Sequence, residues 1–152
     1  MSEILPNSKR KKIAVVAPSM RQIGGQSIQA NHLLETFADE ENIELIFIPN
    51  NPSTVFQNVK FLRTIFTSLK FWKQLFSAIP KVETVQISSA AVSGYVIATL
   101  PPLFIAKLFG KKTILNYHSG ELEEHIKNWK LTAQPTMKMF YKIVVPSQFI
   151  VD

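Results

Sequence analysis

Lys12-Ile13-Ala14-Val15-Val16-Ala17-Pro18 decides the fold. Residues 13–17 are continuously apolar and rich in β-branched side chains, and Pro18 ends the run. A stretch of this length and type predicts a strand buried on both faces, as in a parallel sheet. Residues 19–25 follow as a loop that holds the pair Gly24-Gly25. From Gln26 the period changes. Ile28, Leu33, Leu34 and Phe37 recur at helical spacing until the acidic Asp39-Glu40-Glu41, which predicts an amphipathic helix.

The alternation continues outward from this unit. Residues 43–48 predict a second strand, closed by Pro49-Asn50-Asn51-Pro52. Residues 55–79 predict one long helix or two, and 82–87 a third strand. Residues 90–109 read as helical, with a break or kink at Pro101-Pro102, and Gly110 is placed to stop that helix. A fourth strand is expected at 111–116, helices around 121–130 and 136–140, and a fifth strand at Ile143-Val144-Val145. Strand–helix alternation of this kind is satisfied most economically by an α/β fold: a doubly wound, Rossmann-like parallel sheet.

Composition bounds the function classes. The chain has 152 residues, 46% hydrophobic and 18% charged, which excludes a disordered chain. It has no cysteine, so disulfides, thiolate metal sites and a cysteine nucleophile are excluded. The net charge is +6, and its distribution is uneven. No acid occurs between Glu44 and Glu83, while Lys60, Arg63, Lys70, Lys73 and Lys81 lie there. Lys9-Arg10-Lys11-Lys12 forms a second basic group, and residues 1–11 are read as a basic leader ahead of a domain at 12–152. Such asymmetry suits either an anionic partner or a solubilising surface. No nucleic-acid module is recognisable, so nucleic acid is not an expected partner. The apolar stretch 90–109 is interrupted by Ser93, Tyr95, Pro101, Pro102 and Lys107, too often for a membrane span. A cytoplasmic protein is expected, with peripheral contact at the inner face of a membrane as an added possibility.

Two segments are placed to carry chemistry, both at carboxyl ends of strands, where open α/β sheets bind ligands. Gly24 and Gly25 let a ligand approach the backbone, and the helix that follows points its free N–H groups at the same place. Gln26 and Ser27 add polar side chains. This arrangement suits a phosphate or a sugar hydroxyl, but it lacks the spacing of a Walker loop or a dinucleotide fingerprint. A glycine turn that serves backbone geometry alone is the competing reading. The second segment is Tyr117-His118-Ser119-Gly120-Glu121. A neutral His118 can bond a substrate hydroxyl or carry a proton near neutral pH, and Tyr117, Ser119, Gly120 and Glu121 flank it as substrate-binding candidates. Alternatively His118 caps the next helix. The three histidines lack ligand spacing, so no metal is expected.

Residues 55–79 place Val55, Val59, Leu62, Ile65, Phe66, Leu69, Trp72, Phe76 and Ile79 on one helical face. Lys60, Arg63 and Lys70 lie on the other, while Phe56 and Phe71 project off the stripe. Two readings stand. One is a membrane-surface helix using Lys60, Arg63, Lys70, Phe71 and Lys73. The other is a core-packing helix with a solvated basic face.

Taken together, residues 12–18, Gly24-Gly25, residues 117–121 and Val144-Val145-Pro146-Ser147-Gln148-Phe149 resemble the N-terminal, acceptor-side domain of a GT-B glycosyltransferase of the family 4 type. The resemblance implies the first half of a GT-B architecture. It implies glycosyl transfer from a nucleotide-sugar to an acceptor with retention, and needs no cofactor beyond that donor. Gly24 and Gly25 would approach the donor diphosphate or the acceptor, and His118, as the catalytic residue, would contact the donor sugar. The family's donor-binding C-terminal domain is absent from these residues, so the chain alone is expected to be inactive. The missing domain would be supplied in cis or in trans. A non-catalytic, membrane-associated subunit or truncated product that pairs with a separate donor domain is the alternative. A third reading is a stand-alone α/β protein that binds a nucleotide or sugar phosphate.

Overall fold

A computed structural model of the chain describes residues 10–54, 60–89, 95–118 and 126–145. Its centre is a five-stranded sheet in the order β2-β1-β3-β4-β5. The strands are β1 (Lys11–Ala17), β2 (Ile43–Pro49), β3 (Thr84–Ser89), β4 (Lys112–Tyr117) and β5 (Lys142–Val144). Every neighbouring pair is parallel. The α/β, Rossmann-like class expected from the apolar runs is the fold observed. β1 begins at Lys11, one residue inside the expected leader. Lys12 sits opposite Glu44 in the register, with 3.0 Å between Nζ and Oε2. A half-exposed pair of this kind contributes under ~1 kcal/mol.

Strand alternation sends side chains to two layers. Val15 and Ala17 face α1 (Gly25–Thr36), where Ala30 and Leu33 meet them together with Leu45 and Phe47. Ala14 and Val16 face the larger core. There α2 (Lys60–Ala78), α3 (Leu100–Leu108) and α4 (Ala133–Met137) pack Phe71, Leu75, Leu103, Ala106 and Met137 against Val85, Ile87 and Leu115. Burying one such leucine or isoleucine contributes about 1.5–3 kcal/mol.

The two prolines expected to kink a helix begin one instead. A π-helical turn at Tyr95–Thr99 leads into α3, with Pro101 and Pro102 in its first turn. The N–H that proline lacks has no intrahelical partner there anyway. Gly110 stops α3 as expected. Its φ is +63°, and the amides of Gly110 and Lys111 donate to the carbonyls of Lys107 and Ala106 at 3.0 and 2.8 Å. These two bonds form a Schellman motif.

α2 departs from the expected orientation. Its buried residues are Phe71 and Leu75, followed by Ile79 in a short 3₁₀ turn. The apolar stripe is largely solvent-facing: Leu62 is 38% exposed, Leu69 61% and Trp72 44%. The core therefore holds the flank of the stripe, and only toward the helix's carboxyl end. There Phe76 meets Phe109 edge-on, with centroids 6.4 Å apart. Phe71, expected at a membrane surface, is a core residue at 4% exposure. Among the described residues no helix is long and apolar enough to cross a membrane.

Candidate functional site

β1 lies between β2 and β3, so the chain leaves β1 toward one side of the sheet and later returns on the other. The carboxyl ends of β1 and β3 thus form the topological switch point, where open parallel sheets leave a crevice for ligands. The register shows what meets there. Val16 pairs with Ile87 and Ser89 with Tyr117, so Ser19 and His118 each stand one residue beyond a common line. They are separated by two strand spacings, roughly 10 Å. His118 is fixed by its backbone N–H, which donates to the Ser89 carbonyl at 3.1 Å.

The loop after β1 is pinned from β2. Asn51 accepts the Ser19 N–H on Oδ1 at 2.8 Å and donates from Nδ2 to Gln22 Oε1 at 3.3 Å. The Asn50 amide donates to the Ala17 carbonyl at 3.1 Å. Inside the loop, Ser27 Oγ accepts the Gly24 N–H at 3.0 Å and lies 2.9 Å from the carbonyls of Gln22 and Gly24. Ser27 is 1% exposed. Expected at the ligand, it instead closes the turn from within. The first intrahelical bond of α1 runs from the Ile28 N–H to the Gly24 carbonyl. The amides of Gly25, Gln26 and Ser27 precede it, at the positive end of the helix.

Gly24 and Gly25 are exposed, and a Cβ on either would meet nothing within 4 Å. Gly24 has φ −168°, extended backbone that any residue adopts. Local geometry therefore requires neither glycine, and the competing reading of a turn built for geometry alone loses its ground. Close approach of a ligand remains as a reason for their small size.

Two polar atoms at this edge are buried without a hydrogen-bond partner: Ser19 Oγ and His118 Nε2. Such atoms are costly unless something satisfies them. Burial also lowers the pKa of His118 below its ordinary 6.5, so the imidazole is neutral at physiological pH. It then offers one donor and one acceptor. A cleft of about 330 Å³ opens nearby, between α1 and the polar side of β3 and β4, with Gln86, Ser88 and Asn116 on its floor.

Tyr117 does not join the site. It is fully buried in the main core, because strand alternation turns it to the face opposite Asn116. Gln26 is half-buried beside Gly25. Ser119, Gly120 and Glu121 lie outside the described residues. The sequence reading passed over Asn51 and Ser19. The only signal for Asn51 was the turn chemistry of Pro49-Asn50-Asn51-Pro52. His32, inside α1, is exposed and places Nδ1 2.9 Å from Thr36 Oγ1. Among the described residues no group of three or more histidine or acidic side chains could hold a metal ion.

No family model matches this chain, and no curated protein sequence matches it. Among solved structures it is similar to the 2-desoxiribosyltransferase from Leishmania mexicana. The TM-score is 0.45 and the identity 12%, over 70% of this chain and 64% of that one. These findings overturn the resemblance to GT-B glycosyltransferases of the family 4 type. Neither sequence comparison supports it. The nucleotide-sugar transfer it implied falls with it. The alternative of a membrane-associated subunit or truncated product paired with a donor domain has no support either. A likeness this distant carries nothing about activity.

Proposed function

We propose that this chain is a ligand-binding α/β domain whose ligand is a small phosphorylated molecule bearing free hydroxyls, a sugar phosphate or a nucleotide. The phosphate would lie against Gly24, Gly25 and the opening amides of α1, where backbone N–H groups and the helix dipole favour negative charge. A hydroxyl of the same ligand would reach neutral His118, and another Ser19. One observation carries the reading: two buried, unpartnered polar atoms, His118 Nε2 and Ser19 Oγ, belong to residues at the sheet edge that also bears two glycines the backbone does not require.

Calorimetric titration with a hexose phosphate and a nucleoside monophosphate tests it. One of the two is expected to bind, and His118→Phe and Gly25→Val to weaken it by about tenfold or more, the equivalent of ~1.4 kcal/mol. The melting temperature should change little for Gly25→Val. Absence of binding by both ligands, or equal loss of stability and affinity in both variants, overturns the proposal.

The outward stripe of α2 favours a second reading, peripheral contact with an anionic membrane. Leu62, Ile65, Leu69 and Trp72 are exposed beside Arg63 and Lys73, the pairing that interfacial helices use. Co-sedimentation with phosphatidylglycerol vesicles, lost in the double variant Leu69→Asp, Trp72→Asp, is the expected outcome. Unchanged sedimentation of that variant removes this reading.

A further inference from the structure

A second groove lies away from the carboxyl ends of β1 and β3. It runs between β2, an edge strand, and α2, and has a volume of about 1070 Å³. Pockets that enclose small organic ligands measure ~300–1,000 Å³, so there is room for a long one. Ile46 and Ile48 of β2 form one wall, and Phe66 and Leu69 of α2 the other.

Ser53, Thr54, Lys70, Lys73, Gln74 and Ser77 share the lining with these apolar walls. Thr54 Oγ1 and Gln74 Oε1 are both buried and both without a hydrogen-bond partner. A buried acceptor left unsatisfied is a standing cost, and two in one groove point to a ligand that supplies donors or a bridging water. Charge adds a third constraint. Lys70 and Lys73 line the groove. Lys70 Nζ donates to the Ser53 carbonyl at 2.8 Å. Lys73 is exposed and makes no ion pair among the described residues. Among the described residues no acidic one lines the groove, and none occurs anywhere in the sequence between Glu44 and Glu83.

We propose that the β2–α2 groove binds a single-chain anionic amphiphile, its alkyl chain between Ile46, Ile48, Phe66 and Leu69, its anionic head at Lys73 and a head-group hydroxyl at Gln74. Apolar walls take the chain because burying it removes methylenes from water. Lys73 selects the sign of the head by a charge-assisted hydrogen bond. The head's protonated oxygen or an adjoining hydroxyl satisfies Gln74 Oε1. This site is separate from the sheet-edge site and does not depend on it.

The probe is monomeric dodecyl phosphate, titrated calorimetrically into the full chain below its micelle concentration. One molecule per chain is expected to bind, and inorganic phosphate is not expected to compete. Lys73→Glu should weaken binding by about tenfold or more, as loss of a charge-assisted bond does. Gln74→Leu should raise the melting temperature of the free protein, since an unsatisfied buried acceptor is removed, and yet weaken binding severalfold. These opposite signs separate a ligand contact from a packing role. Equal binding of dodecyltrimethylammonium would show that charge is not read, and overturns the proposal. So does an absence of binding, or binding to phosphatidylglycerol vesicles without binding of the monomer, which would assign the lysines to a membrane surface instead.

Discussion

The side chain of Asn51 holds the backbone of Ser19: Oδ1 accepts the Ser19 N–H at 2.8 Å across a separation of 32 residues. The bond ties the loop that leads to Gly24 to the end of the neighbouring strand. Asn51→Leu removes it and strands the Ser19 amide. A loss of about 0.5–1.5 kcal/mol in stability is expected, typical of one net hydrogen bond, with faster exchange of the Ser19 amide. Affinity for the phosphorylated ligand should fall further than stability, because the loop carries the site. Urea denaturation, amide exchange and calorimetry on the one variant check all three.

His118 makes stability depend on pH. Its folded-state pKa is lowered below 6.5 by burial, while in the unfolded chain it titrates at its ordinary value. As pH falls through 6.5 the unfolded state takes up a proton before the folded state does. The contribution is therefore fully present above 6.5 and is lost as pH falls toward the lowered folded-state pKa. His118→Gln should remove that slope. Denaturation of the wild type and the variant between pH 5 and 8 measures it, and parallel curves across that range would contradict the buried, neutral imidazole.

Tyr95 gives the opposite limb. It is fully buried, and its Oη lies 2.9 Å from Thr136 Oγ1. Burial raises its pKa above 10.0, although the Thr136 bond pulls the other way. The folded state keeps the phenol proton when the unfolded state has lost it. Stability is therefore full below pH 10 and declines as pH rises beyond it. Tyr95→Phe is expected to cost about 0.5–1.5 kcal/mol at neutral pH and to flatten the alkaline decline. Thermal melts at neutral pH and above pH 10 test both effects.

Gly110, at φ +63°, ends α3 in the left-handed region. An L side chain there costs roughly 1–2 kcal/mol, even though a Cβ would meet open space. Gly110→Ala should lower stability by about that amount and leave both proposed sites unaffected. A neutral effect would mean that the α3–β4 turn rearranges.

The strands were legible because β-branched apolar runs such as Ile13-Ala14-Val15-Val16 have few other uses in so short a stretch. Their ends were less so. The third strand, expected at 82–87, spans Thr84–Ser89, because the register with β4 carries polar Ser88 and Ser89 into the sheet. Val82 is buried beside the 3₁₀ turn instead. The stripe of α2 was visible, but a hydrophobic pattern gives the direction of an apolar face and not what covers it. Phe71 entered the core because α2 packs by its flank. Gly24-Gly25 and His118 stood out as residue types at strand ends. Asn51 and Ser19 did not, because their pairing exists only once β1 and β2 lie side by side.

The central place of β1 also fixes an order of events during synthesis. Its first partner comes soon, since Ile13 pairs with Leu45. Its second edge waits for Thr84, 84 − 13 = 71 residues after Ile13. At a translation rate of ~5–20 residues per second, Ile13 leaves the ribosome about 4–14 s before the strand that will cover it. For that time a short, apolar, β-branched segment presents an unpaired edge, the kind of surface that recruits other chains. The nascent protein is thus most exposed to aggregation before β3 emerges, and slowed elongation between residues 50 and 84 should lower the soluble yield more than the same delay placed after residue 90.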